Sequence, residues 1–214
     1  MKWGSFFSSG FTRRPGGLVG TMLSGYGACF VIWSTYAAIF ARLDALVLVT
    51  LFLSFMLVLV FSTVAAGSQR PSDGGNSIPI YDWFLVLASI ACGIYFAINS
   101  ETIATRITLL DPLSALDITF ATVLITLCLE VCRRTVGLLL TGIVISFMGY
   151  NLYGHVLPAA FGHGYISYEH FLDIMIFTTD GLFGTPLRVA ATYVLLFVLF
   201  GTFLANAGGG EFFN

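Results

Sequence analysis

The stretch Leu129–Phe161, LEVCRRTVGLLLTGIVISFMGYNLYGHVLPAAF, decides how the chain is read. Glu130 and the adjacent Arg133 and Arg134 stand between two long apolar runs. An arginine at the centre of a bilayer costs roughly 2.5–3.5 kcal/mol on insertion scales, so such charges mark where a span stops. Glu130 precedes Arg133 by three residues and Arg134 by four, so a helix brings all three together. Two readings follow: a topology lock with a local ion pair at the membrane edge, or a charged group in a transport path. The insertion cost and the position at a span end favour the lock.

The composition of the whole chain sets the solvent. Of 214 residues, 57% are hydrophobic and 9% charged, with a mean hydropathy of +0.93. A soluble domain carries roughly 25% charged residues. So much apolar surface belongs in lipid. The formal net charge is -2 and no basic tract occurs, which argues against a nucleic-acid partner. Lys2, Arg13 and Arg14 form a positive leader, followed by an uncharged run from Pro15 to Ala41. The apolar core of a cleaved signal spans roughly 7–15 residues, so this run reads as a retained membrane helix.

Charges punctuate the remaining runs. Spans are expected at about 18–41, 45–66, 83–100, 111–133, 135–153 and 186–207, with a short turn at Arg42 and Asp44. The fold class is all-α: a polytopic membrane bundle of about six transmembrane helices plus an interfacial or re-entrant helix. GSQRPSDGGNSIPIYD, Gly67 to Asp82, reads as a flexible loop, and Trp83 as an interfacial anchor. Pro112 discourages helix at Asp111 and can open one itself. Phe171–Gly184, with Asp173 and Asp180 inside it, is too short and charged for a span, and reads as the lateral or re-entrant helix. Gly16, Gly20, Ser24 and Ala28, and again Gly201, Ala205 and Gly209, recur every four residues and suit close helix packing. With a cytoplasmic N-terminus, inner segments hold Lys2, Arg13, Arg14, Arg70, Arg133 and Arg134, and outer ones hold Arg42, Arg106 and Arg188. That asymmetry favours N-in, and six crossings return the C-terminus to the same side.

Catalytic and metal chemistry find little footing. Cys128 and Cys132 share a helix face, but no further Cys or His ligands follow closely, so Cys29, Cys92, Cys128 and Cys132 read as small buried hydrophobes. His155, His163 and His170 fall in the outer segment without an HExxH pattern, which reads as surface or interfacial placement. AGGGEFF, Ala207–Phe213, lacks the strand and the lysine of a phosphate cradle. No nucleophile elbow or dinucleotide fingerprint occurs, so neither enzyme nor cofactor is expected.

Two motifs carry a resemblance. EVCRRTVG, Glu130–Gly137, is followed by Phe147, Tyr150 and Gly154. DGLFGTPLRVAATYVLLFVLFGTFLANAGGGEFF runs from Asp180 to Phe213. Together they resemble the fused permeases of tripartite ATP-independent periplasmic (TRAP) transporters, of the TAXI type. The resemblance places Glu130, Arg133, Arg134 and Gly137 at the joint between a small and a large membrane component. Gly181, Phe183, Gly184, Thr192, Tyr193, Phe200, Gly201 and Gly208–Gly210 match the second pattern. It implies residues 1–128 as the small component and 129–214 as the start of the large one. It implies a sodium-coupled importer of organic acids in the bacterial or archaeal inner membrane. The partners would be a periplasmic solute-binding protein, the lipid bilayer and the remainder of the large component. Substrate and sodium sites of that family lie in glycine- and serine-rich hairpins of the part that follows, so the chain is expected to be an N-terminal fragment. The rival reading is an accessory or scaffolding subunit with no transport path. Glu130, Arg133, Arg134, Gly137, Gly181 and Gly184 are expected to act in topology and structure.

Overall fold

The computed structural model describes residues 10–13, 16–40, 45–67, 78–158 and 161–208. Lys2, Arg14, Arg42, Asp44, Arg70, Gly209, Gly210 and most of the expected 67–82 loop lie outside them. Among the described residues the chain forms eight helices and no strand. They are α1 Gly17–Ile39, α2 Ala45–Thr63, α3 Ile80–Ile98, α4 Ser100–Thr105, α5 Ala115–Thr135, α6 Leu138–Tyr153, α7 Tyr168–Ile176 and α8 Thr185–Asn206.

Five of these, α1, α2, α3, α5 and α8, are long and apolar enough to cross a bilayer. The stretch expected as a fifth span forms α6, but over only 16 residues, about 24 Å. The cause is Gly137, whose φ of 112° breaks the chain between α5 and α6. A single 3-10 turn, Gly154–Val156, continues α6. The expected loop ending at Asp82 is also corrected. Pro79 caps α3, so Asp82 lies in its first turn. The start of α5 is Ser114, not Pro112: its hydroxyl accepts from Asp117 N, and the Asp117 carboxylate accepts from Ser114 N. The segment read as a lateral or re-entrant helix gives α7, nine residues long, and then a tight turn.

The helices share two ends. Residues before α1 lie along those after α2: Arg13 N donates to Thr63 O and Ala65 N to Phe11 O. Gly10 is required there, because a Cβ would fall on the Ala65 carbonyl oxygen. The start of α3 and the end of α5 come to the same end, where Asp82 meets Arg134. Between the ends, Phe30 and Phe55 pack α1 on α2 at 5.3 Å, and Tyr95 stacks on Phe120 at 4.1 Å to join α3 to α5. The buried core runs through Phe61, Cys92, Leu124, Leu172 and Phe183.

In contrast, α6 buries only Thr141, and Leu195–Asn206 of α8 buries nothing. The small residues Gly16, Ser24 and Ala28 at and along the start of α1, and Gly201 and Ala205 of α8, are exposed, and a Cβ on Gly16 or Gly201 would meet nothing among the described residues. Such apolar faces are suited to the lipid of a bilayer.

Helices α2 and α3 approach closely at Gly93, where a Cβ would lie 2.7 Å from Ser54 Cβ. Gly93→Leu should lower stability by about 1–3 kcal/mol through overpacking. Gly25 faces open space, so Gly25→Ala should leave stability unchanged or slightly raised. Thermal unfolding in detergent checks both, and equal melting temperatures for Gly93→Leu and wild type would contradict this packing.

Candidate functional site

The charges singled out in the sequence sit in a larger network than their spacing suggests. The local contacts are present: Arg133 grips Glu130 through Nε and Nη2, both at 2.8 Å, and Arg134 Nε donates to the Glu130 Oε1 at 2.7 Å. Two further groups, distant in sequence, complete it. Arg134 Nη2 lies 2.7 Å from Asp82 Oδ1, and Arg13 Nη1 lies 2.5 Å from Asp82 Oδ2. Carbonyls after α2 take remaining donors: Arg134 Nη1 donates to Val64 O at 3.1 Å and Arg133 Nη1 to Ala66 O at 3.3 Å. Gly10 N donates to Arg134 O, which fixes the N-terminal arm to the end of α5.

Burial separates the members. The Asp82 and Arg134 side chains are 0% and 1% exposed, while Arg133 is 33% exposed. Arg134 also lies over the Phe61 ring, 5.0 Å from its centroid, which offsets lost hydration. Helix ends supply further support. Asp82 stands at the positive N-terminus of α3, and Arg133 and Arg134 at the negative C-terminus of α5. Arg13 precedes the N-terminus of α1, an unfavourable place for a cation, and Asp82 compensates it. Three arginines against two carboxylates leave the network one positive charge in surplus. Nothing in this arrangement pairs a nucleophile with a base. Its chemistry is that of a lock joining four pieces of chain.

The glycines singled out with it are local devices. Gly137 supplies the positive φ between α5 and α6. A Cβ on Gly181 would fall on the Met175 carbonyl oxygen, and one on Gly184 would lie 3.0 Å from Gly181 O. The turn they allow buries Phe183 against Phe96 at 6.2 Å. The network and this turn are separate features: α7 and its turn belong to the opposite end of the bundle.

That opposite end holds a second ion pair that spacing did not suggest. Arg106 Nη1 lies 3.1 Å from Asp173 Oδ1, and Arg106 lies over Phe177 at 5.3 Å. A cavity of about 200 Å³ adjoins them, bordered by Asp111, His170 and Glu169. Tyr95 donates to Asp117 at 2.6 Å nearby on α3 and α5. Among the described residues no three His, Cys, Asp or Glu side chains gather as a metal site. Asp180 is exposed.

With five bilayer-length apolar helices and two tied ends, the chain is a multi-span helical membrane protein. No family model, curated protein or solved structure matches it.

Two outcomes follow. Asp82→Ala leaves Arg13 and Arg134 buried without their carboxylate and should cost about 3–5 kcal/mol, whereas Arg133→Ala, at the wet edge, should cost about 1 kcal/mol or less. Unfolding titrations in mixed micelles measure both; the reverse order would sink the network as drawn.

His163 titrates outside the spans. Its ring nitrogens face Tyr150 O at 3.0 Å and Gly164 O at 2.7 Å. Only the imidazolium donates to both, so these carbonyls, Tyr150 first, raise its pKa above the ordinary value. A raised folded pKa adds stability that is fully present below about 6.5 and is lost as pH rises through the folded value. Histidine NMR titration should show His163 titrating above the ordinary range; a value below it would contradict the bridge.

Proposed function

We propose that the chain is the membrane permease part of a sodium-coupled, binding-protein-dependent solute importer of the TRAP type, acting on organic acids. One observation carries the reading. The motif resembling the joint of fused TRAP permeases, Glu130 with Arg133 and Arg134, meets the buried Asp82 through Arg134, and Asp82 in turn holds Arg13. On this reading, residues assigned to the joint are among those that tie residues 1–128 to 129–214. The division falls within the continuous helix α5, so the two parts meet as one support.

On this reading the chain supplies the static support, and no reaction is assigned to it. Solute and sodium sites belong to the remainder of the large component, and a periplasmic binding protein delivers the solute. Among the described residues the apolar spans include no pair of broken helices, which favours a supporting role. The rival, an accessory scaffold with no transport partner, is favoured by the same network, whose charges face one another and leave no carboxylate without an arginine.

Deletion of the coding region in its native host separates the two. The importer reading expects loss of sodium-dependent uptake for at least one acid in a panel of radiolabelled mono- and dicarboxylates, restored by the wild-type gene. Uptake of the entire panel at wild-type rates would overturn it.

The membrane assigned is the bacterial or archaeal inner membrane, with the N-terminus cytoplasmic. Arg13, Arg133 and Arg134 share one end of the bundle, which supports that orientation. Reporter fusions after Arg134 should report cytoplasm, and those within Thr102–Thr108 and near His163 periplasm. A periplasmic signal at Arg134 would reverse the map.

A further inference from the structure

The segment between α4 and α5, Arg106–Ser114, combines features that are seldom found together in a water-facing loop. Ile107, Leu109 and Leu110 are exposed, Leu110 at 78%. Apolar side chains presented so openly need a cover. Of the six backbone N–H groups from Arg106 to Asp111, five have protein partners. Arg106 N donates to Ile103 O, and Leu110 N and Asp111 N both donate to Ile107 O. Ile107 N donates to the Asp111 carboxylate at 2.9 Å, and Leu109 N to Asp173 Oδ2 at 2.7 Å. Water would satisfy such groups without help. A lipid environment does not, and irregular backbone enters it only when its polar groups are bonded within the protein.

The segment is also held rigidly. Leu109 adopts φ 67°, a left-handed conformation that a branched side chain rarely takes and that its surroundings must enforce. Asp173, from α7, supplies the enforcement. Its side chain is 4% exposed; one oxygen holds Leu109 N and the other faces Arg106. Arg106 Nη2 in turn donates to Asp111 O. A single buried carboxylate thus fixes both the course of the loop and its attachment to α7.

The occupant follows from position. The loop leads directly into α5, whose second residue, Leu116, is itself exposed at the start of a bilayer-length span. Ile98, the last residue of α3, is exposed at the same end. The apolar loop therefore continues the lipid-facing belt of the spans. We propose that Ile107–Leu110 seats in the interfacial region of the bilayer as a non-helical wedge, and that the Asp173–Arg106 pair latches it there and with it holds α7 against the membrane. The wedge lies at the depth where amphipathic segments bury their apolar side chains, roughly 5–10 Å into the headgroup boundary.

The test places a cysteine at the tip. Leu110→Cys, in the full chain reconstituted in phosphatidylcholine vesicles with no other protein, is exposed to a membrane-impermeant maleimide from each side in turn. Wild type, whose four cysteines stay in place, gives the background. The wedge expects labelling at the background rate from both sides, and complete labelling once the protein is unfolded in detergent, which shows the thiol intact. Asp173→Asn combined with Leu110→Cys, checked for folding by circular dichroism, should label at least tenfold faster from one side. Fast labelling of Leu110→Cys in the otherwise native chain would place the loop in water, as expected of a docking surface for a soluble protein, and overturn the proposal. Because Asp173→Asn could loosen α7 more widely, a second measurement needs no variant at that site. Leu110→Trp fluorescence, corrected for wild type, should be quenched by lipids brominated near the headgroup more than by those brominated at the chain end. Equal or absent quenching would also overturn it.

Discussion

Asp82 binds the bundle together more than any other single group. It is a carboxylate with no exposed surface, placed between two arginines that come from opposite halves of the chain. A buried ion pair is weak evidence for stability in itself, since desolvation offsets much of the attraction. The consequence of having one is nonetheless strong. Once Arg134 is buried, every route to removing its partner is costly, so the ends of α2, α3 and α5 and the arm Gly10–Arg13 must meet in one arrangement. The Val64 carbonyl, the Phe61 ring and Glu130 occupy the donors and face of Arg134 that Asp82 leaves, and the Ala66 carbonyl accepts from Arg133. The apolar packing between α2 and α3 then forms in a fixed register.

A comparable logic operates at the other end with fewer groups. Asp173 reaches across from α7 to Leu109 and Arg106, and Tyr95 reaches from α3 to Asp117. The central helix α5 is therefore tied at both termini, by a network at its arginine end and by hydrogen bonds at its capped start. The exposed helices α6 and α8 are the contrast. They are apolar, yet almost none of their residues is buried by the other described residues. A π-turn at Ala190–Val194 interrupts the hydrogen-bond ladder of α8, and it falls on the one buried patch of that helix, Ala191.

What the sequence made legible were the features carried by local chemistry. Long apolar runs gave the helices, and the three- and four-residue spacing from Glu130 brought both arginines to it as a helix must. The tight turn at Gly181–Gly184 was visible as a glycine motif, though its use, burying Phe183, was not. The missed parts are all long-range. Asp82 stands 69 residues from Arg13 in the chain, and Asp173 stands 64 from Leu109. Nothing in local periodicity couples such positions. One signal was available for the first: alternating spans bring the start of α3 and the end of α5 to one side, so an acid at the first and bases at the second must face the same surface. No comparable clue exists for Asp173, because α7 is too short to fix its direction. The break between α5 and α6 was legible from Arg133 and Arg134, but the conformation that makes it was not. Gly137 reads as one more small residue until its positive φ is seen.

The central claim is that Asp82 and Arg134 hold each other directly. A double-mutant cycle of Asp82→Asn and Arg134→Gln, followed by reversible unfolding in mixed micelles, measures this apart from what each residue does alone. Direct partners in a buried network couple by about 0.5–3 kcal/mol, and full burial places this pair toward the upper part of that range. A coupling of about 2 kcal/mol or more is the predicted result. Additive effects, within about 0.3 kcal/mol of zero coupling, would show that the two side chains do not meet and would contradict the account.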